Sequence, residues 1–375
     1  MPHFARNALT RNKAEKNRMT RWEIDFEKIG VLSLIFIFSI LICCGPRQDE
    51  GEAKLFSLEK VLTIDTENNK MAEVGLTDIN FFDIDSEGKI FIANLEAKEN
   101  YIFILNDEGN LISAFGRGGQ GPGELQSPLD LAISNQDEIF VTDRGKVVVF
   151  GNSGQFINEF RIDNEYQKII PLDKNRYLAI AVKMNEDLSQ SFQVILCTSE
   201  FKELKTLDSS KIESFRKANK VNIIPTLVYW ETSESHIYTG NTDEYKIRVF
   251  DFDGEFLRSI KKEYKALSLS NKDREEYEQR LQKYPPEIRE SFFIPDAFPP
   301  FRAIVTLDDK WLFVQTYEEA NEGRSVYDIF NANGEFMGRA ELDGYEVKFK
   351  GDRVYCLKRK ESGYKELVVY RMIWD

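Results

Sequence analysis

From residue 56 onward the chain is a succession of short apolar runs broken every ten residues or so by Gly, Asn and Asp. Within the runs apolar and polar positions alternate with a period of two, which predicts strands, because successive side chains of a strand point to opposite faces. One module recurs: an apolar strand ending in Phe or Leu, a polar turn with Gly, and a second strand opening on an apolar residue. It reads IFILNDEGNLISAF at 102–115, VVVFGNSGQFINEF at 147–160, IRVFDFDGEFLRSI at 247–260 and YDIFNANGEFMGRA at 327–340, with a degenerate copy, FQVILCTSEFKELKTL, at 192–207. Each turn supplies Gly or a small polar residue where a tight hairpin needs positive φ.

Upstream of most copies lies another pair of short strands, whose second members are GKIFIAN (88–94), DEIFVTD (137–143), SHIYTGN (235–241), DKWLFVQ (309–315) and DRVYCLK (352–358). Four strands in a unit of 40–50 residues are the blade of a β-propeller. Units at 76–116, 125–162, 166–207, 222–260, 300–342 and 344–371 predict six blades. The last unit is one strand short, and FSLEKVLTID at 56–65 is a strand without a blade. Pairing the two orphans closes the ring and removes two exposed sheet edges. The expected fold is therefore all-β: a six-bladed propeller over 56–375, closed by an N-terminal strand. A helical insertion at 262–299 separates blades 4 and 5. It contains LSNKDREEYEQRLQKY, capped at Ser270 or Asn271, apolar at Tyr277, Leu281 and Tyr284, and stopped by Pro285-Pro286.

Composition fits this reading, with 28 Phe and 15 Tyr available for strand surfaces. The formal charge is −13, and without residues 1–44 the chain carries 43 basic and 59 acidic residues. Such a surface repels phosphate backbones, which argues against nucleic acid as a partner.

Residues 1–44 read separately. The apolar run Ile29–Cys44 (IGVLSLIFIFSILICC) follows a stretch holding Arg6, Arg11, Lys13, Lys16, Arg18 and Arg21. A positive flank and an apolar core of this length are the elements of a secretory signal. Leu41-Ile42-Cys43-Cys44, followed by Gly45, resembles a bacterial lipobox, which implies lipid attachment at Cys44. The alternative is a single uncleaved N-terminal transmembrane anchor. Residues 45–55 read as a flexible tether. Export and membrane anchoring, on the periplasmic side or at the cell surface, are the expected localisation.

FGRGGQGPGELQSPLDLAISNQDEIFVTDRGKVVVFGNSGQF at 115–156 resembles an NHL-type repeat, and 56–375 as a whole resembles the six-bladed propeller lipoproteins of bacteria. The resemblance implies the six-bladed fold and a lipid-anchored protein.

Motifs for chemistry are few. Gly116-Arg117-Gly118-Gly119-Gln120-Gly121 fits GxGxxG by letter, but Pro122, Gly123 and Pro128 follow where a phosphate cradle needs a helix to start. His3 and His236 cannot assemble a triad or a His-based zinc cluster. Cys197 and Cys356 fall in the third and sixth blades, and are expected as buried free thiols. Asp251-Phe252-Asp253-Gly254-Glu255 sits in a hairpin turn and lacks the downstream ligands of a calcium loop. No motif calls for a cofactor. A divalent metal held by carboxylates in the central channel is the one enzymatic route left open, as a hydrolase or lactonase.

In a four-stranded blade the first-to-second and third-to-fourth turns share one face. The second-to-third turns and the interblade linkers share the other. The long segments 115–127, 208–222, 262–299 and 316–325 all fall on the linker face, and long loops on a rigid scaffold are where binding resides. Arg117, Asp143, Arg144, Trp311, Gln315 and Tyr317 are the candidate ligand-binding residues. The expected function is non-catalytic binding or scaffolding of a protein, peptide or glycan of the envelope.

Overall fold

The computed structural model describes residues 55–375 apart from 98, 164, 186–189, 213–219 and 226. The chain divides into Met1–Gly45 and Pro46–Asp375, and the described residues all belong to the second unit. The candidate lipid site Cys44 and the tether up to residue 54 lie outside the described residues.

Six four-stranded antiparallel sheets form the domain. In order from inner to outer strand, the first blade comprises Phe81–Ile84, Ile90–Ala93, Asn100–Leu105 and Leu111–Arg117, and the second Asp130–Ile133, Ile139–Asp143, Lys146–Phe150 and Phe156–Arg161. The third takes Tyr166–Pro171, Arg176–Met184, Gln190–Thr198 and Glu203–Ile212, and the fourth Val228–Thr232, His236–Asn241, Lys246–Asp251 and Phe256–Lys261. The fifth is built from Ala303–Leu307, Trp311–Glu319, Ser325–Asn331 and Phe336–Leu342. The sixth runs Glu346–Lys350, Arg353–Arg359 and Lys365–Trp374, and its outermost strand is Phe56–Asp65, in register from Phe56 opposite Trp374 to Asp65 opposite Glu366.

The apolar alternation becomes a series of cores between neighbouring blades. Phe91, Ile102 and Ile104 of the first blade pack on Leu131, Val141 and Val148 of the second, and Tyr238, Ile247 and Val249 of the fourth on Ile304, Leu312 and Val314 of the fifth. Each blade has two apolar faces because a neighbour covers each of them. Cys197 and Cys356 are buried in these layers as free thiols, and burial pushes the Cys197 thiol up to about 11.

The recurrent turns have a common physical cause. In Asp85, Asn106, Asp251 and Asn331 the side-chain oxygen accepts the backbone N–H groups two and four residues on, at 2.8–3.1 Å. Asp251 thus gives one oxygen to turn amides, as a solvated hairpin requires. Gly154 at φ +87 shows why Gly follows: a Cβ there would stand 2.5 Å from the Phe115 ring.

The insertion contains the helix Asn271–Leu281, capped by Ser270, whose hydroxyl accepts the Asp273 N–H while the Asp273 carboxylate accepts the Ser270 N–H. Tyr277 packs with Ile224, Leu269 and Phe298, and Ile223, Leu267, Ile294 and Tyr317 close the cluster. Phe292–Phe293 pairs in parallel with Val221–Asn222 from the preceding linker. The insertion is thereby fastened to the linker face at the fourth and fifth blades.

Candidate functional site: the channel, the linker face and the cleft between the first two blades

The inner strands carry charges where an apolar residue would be expected: Asp83, Asp130, Lys168, Glu231 and Lys348 come from blades 1, 2, 3, 4 and 6. Lys348 Nζ lies 3.0 Å from Asp83, and Lys168 Nζ lies 3.0 Å from Asp130, so each pair ties adjacent blades. Asp83 also accepts the Ile133 N–H at 2.8 Å. Burial works against the Lys348 charge, but Asp83, Glu346 and Asp130 outweigh it and raise its pKa. Among the described residues Glu231 is the member without a lysine bound to it; its carboxylate accepts the Thr232 N–H at 2.8 Å. Desolvation raises its pKa to about 7 against the opposing pull of that N–H, Lys348 and Lys168. The sequence signal for this group is a charge within the short inner strands of five of the six blades.

On the linker face the six candidate residues take different roles. Asp143 is fully buried, and its carboxylate accepts the N–H groups of Gln126 at 2.7 Å, Ser127 at 2.6 Å and Arg144 at 2.9 Å. It fastens the Gly-rich linker to the second blade and does not face a ligand. Gln315 is likewise buried, donating to Ser325 Oγ at 2.8 Å. Tyr317 stacks on Phe298 with ring centroids 4.8 Å apart, and Arg302 lies 5.6 Å over its ring. Burial, and then its neighbours Tyr229 and Tyr277, raise its phenol pKa, and it shares a hydrogen bond with Tyr229.

Trp311 is on the opposite rim. It pairs with Leu307 at the first-to-second turn and stacks on Trp374 at 4.9 Å. Alternation places Trp311 and Gln315 on the same sheet face, but four steps of about 3.3 Å each separate them along the blade. Periodicity reports the face of a sheet and is silent about height.

Arg117 and Arg144 remain at the surface of the linker side. Arg117 ends the outer strand of the first blade with 77% of its side chain exposed, and its nearest carboxylate oxygen, on Glu124, is 3.9 Å away. Arg144 is exposed at the tip of the second-to-third turn of the next blade. Between them runs the GxGxxG segment, whose Gly118 bridges Leu125 in parallel and whose Gly121 N–H is accepted by Glu124 Oε2 at 2.8 Å. The next long element is a strand, so this is a blade-linking loop. Beneath it a cleft of about 360 Å³ opens between the blades, with Phe115, Phe150 and Phe156 along it and Arg117 and Glu124 at its lip.

Among the described residues no three His, Cys, Asp or Glu side chains are placed to hold a metal ion together. No described helix is long and apolar enough to cross a membrane.

Six radial four-stranded sheets with a decorated linker face define a β-propeller of the six-bladed class. The chain belongs to the DUF5128 family, described as a 6-bladed beta-propeller, whose match spans residues 54–284. Among solved structures it is similar to an exported protein, so named, of Bacteroides fragilis (12% identity, 85% of this chain and 95% of that one, TM-score 0.51). A duf4221 family member of Bacteroides vulgatus is similar too (11% identity, 85% and 98%, TM-score 0.50). At these identities the likeness is one of fold. No curated protein matches the chain.

Proposed function

We propose that this propeller is a membrane-tethered module of the bacterial cell envelope that binds or scaffolds a protein, peptide or glycan without catalysis. The observation that carries the reading is the pair of exposed arginines, Arg117 and Arg144, held on the linker side of two adjacent blades by a loop that the buried Asp143 fastens in place. A rigid rim presenting guanidinium groups suits recognition of acidic or amide groups. The NHL-type likeness of 115–156 belongs to the same reading, since its Gly-Pro-Gly linker forms this rim.

The experiment is capture of an envelope partner by the full chain, compared among variants. Arg117→Ala with Arg144→Ala is expected to lower capture about tenfold, the scale of two exposed charge-assisted contacts. Alanine at Asn331 and Asn333 on the opposite face should leave it intact. Loss of capture from the opposite-face set alone would overturn the assignment.

Export and lipid anchoring at Cys44 complete the proposal. Export is supported by the apolar run and by the likeness in fold to the Bacteroides fragilis protein named as exported, and lipid attachment by the cysteine that ends the run. Cys44→Ser is expected to abolish metabolic labelling with a radioactive fatty acid. Labelling equal to that of the parent would remove the lipobox from the reading.

A further inference from the structure

Resting on the binding reading above, we propose that the cleft between the first and second blades holds the C-terminal residue of an extended peptide, taking its carboxylate on Arg117 and a bulky apolar side chain among Phe115, Phe150 and Phe156. The cleft's volume of about 360 Å³ is that of a site for one large side chain and its terminus. Phe115 meets Phe150 edge-on at 4.8 Å, and Phe150 meets Phe156 at 6.4 Å. Phe156 remains 43% exposed, which is apolar surface a ligand can cover.

The lip supplies the charge. Among the described residues the Arg117 guanidinium makes no hydrogen bond; its ion pair with Glu124 is long, at 3.9 Å, and Glu124 already accepts the Gly121 N–H. A guanidinium with its fork unoccupied is suited to a carboxylate, which it can hold through two parallel hydrogen bonds. The surroundings favour an anion although the chain is acidic overall. Lys146 donates to the Glu124 carbonyl at 2.8 Å and lies 3.2 Å from Glu159, while Arg144 and Arg161 form no ion pair among the described residues. Arg161 follows Glu159 by two positions in one strand and so shares its sheet face.

The backbone selects an extended peptide as the carrier of that carboxylate. Leu111–Arg117 is the outer strand of its blade, paired with Asn100–Leu105 on one side, and it ends at the cleft, where the Arg117 carbonyl accepts the Leu125 N–H; residues 111–116 have no second partner strand among the described residues. Its other edge offers N–H and C=O groups to a chain lying alongside, as in strand addition. The net charge of −13 opposes a polyanion, whereas a single carboxylate meets only the local field.

The test is fluorescence polarisation with the full chain and an N-terminally labelled hexapeptide ending in Leu-Phe, as free acid and as C-terminal amide. The free acid is expected to bind about ten times more tightly than the amide. Arg117→Ala should bring the two within about twofold of each other. Phe156→Ser should weaken both equally, and Lys174→Ala, on the opposite face of the third blade, should change neither. Equal binding of acid and amide to the parent, an acid preference that survives Arg117→Ala, or no binding of the acid up to about 5 mM would each overturn the proposal. Octyl phosphate binding where the peptide acid does not would overturn it in favour of an anionic lipid. Partner capture that still depends on Arg117 and Arg144 while the acid preference is absent would overturn this assignment alone. Capture indifferent to both arginines would overturn the broader binding reading.

Discussion

A chain lacking residues 56–65 is expected to lose its single cooperative unfolding transition and to aggregate. Phe56–Asp65 pairs along its whole length with Lys365–Trp374, with a bulge between Lys60 and Leu62. Just beyond it Thr66 anchors the end of the pairing: its N–H and hydroxyl both donate to the Lys365 carbonyl, at 3.1 and 2.7 Å, and its hydroxyl accepts the Lys365 N–H at 3.2 Å. Ile64 is fully buried with Leu76, Leu105 and Leu367, and Phe56 meets Trp374 at 5.1 Å and Phe313 at 6.2 Å.

Losing two such side chains costs about 1.5–3 kcal/mol each before cavities are counted. The ladder hydrogen bonds add about 1 kcal/mol apiece. The sum rivals the whole stability of a typical domain, about 5–15 kcal/mol. The deletion also bares the edge of Lys365–Trp374, a template for pairing with another chain. Calorimetry and light scattering of the deleted chain provide the check. A melt as sharp and as high as that of the parent would show that this strand is dispensable for closing the ring.

Glu231→Gln is expected to stabilise the protein at pH 8 and to leave it nearly unchanged at pH 4.5. Water reaches part of the Glu231 side chain, but protein surrounds it, and desolvation is the largest of the influences on its carboxyl. The facing groups are Lys348 and Lys168, which favour the charge, and Asp83, which opposes it. A carboxyl whose pKa is raised on folding from 4.5 to about 7 favours the folded state when protonated. That contribution is complete below about pH 4.5, is lost as pH rises, and is gone above about pH 7.

The largest effect is about 3 kcal/mol, since one pKa unit corresponds to about 1.4 kcal/mol, and residual solvation of the side chain reduces it. Gln imitates the protonated acid and escapes the loss. Denaturant unfolding of parent and variant at pH 4.5, 6 and 8 measures the difference. A variant no more stable than the parent at pH 8 would mean that the lysines already neutralise the carboxylate.

The linker-face residues show where sequence reasoning ran short. Asp143 and Arg144 are neighbours in sequence, yet one is buried against three backbone amides and the other is exposed. Nothing in the local pattern separates them, because the amides that claim Asp143 include those of Gln126 and Ser127, which a preceding strand and turn bring into reach. Trp311 lies on the other rim from the expected one for a related reason: alternation gives a side chain its sheet face but not its height on the blade. The axial charges carried a local signal, an Asp, Glu or Lys inside the short inner strand of five blades, whose meaning depended on six blades meeting at one axis.

The repeating unit and its number are legible along the chain. Strand alternation, the Asp or Asn that accepts turn amides and the Gly that follows are local requirements of a hairpin, legible wherever the pattern repeats, and six repeats of about 45 residues specify six blades. The capped helix Asn271–Leu281 was legible on the same grounds, since Ser270 and Asp273 satisfy each other's backbone groups within one turn. Which side chains meet across blades emerges only in the folded chain: Lys348 with Asp83, Lys168 with Asp130, and the Phe115, Phe150 and Phe156 cleft under Arg117. These contacts join residues up to 265 positions apart. They depend on the twist and spacing of sheets around a common axis, and no period in the chain encodes that distance.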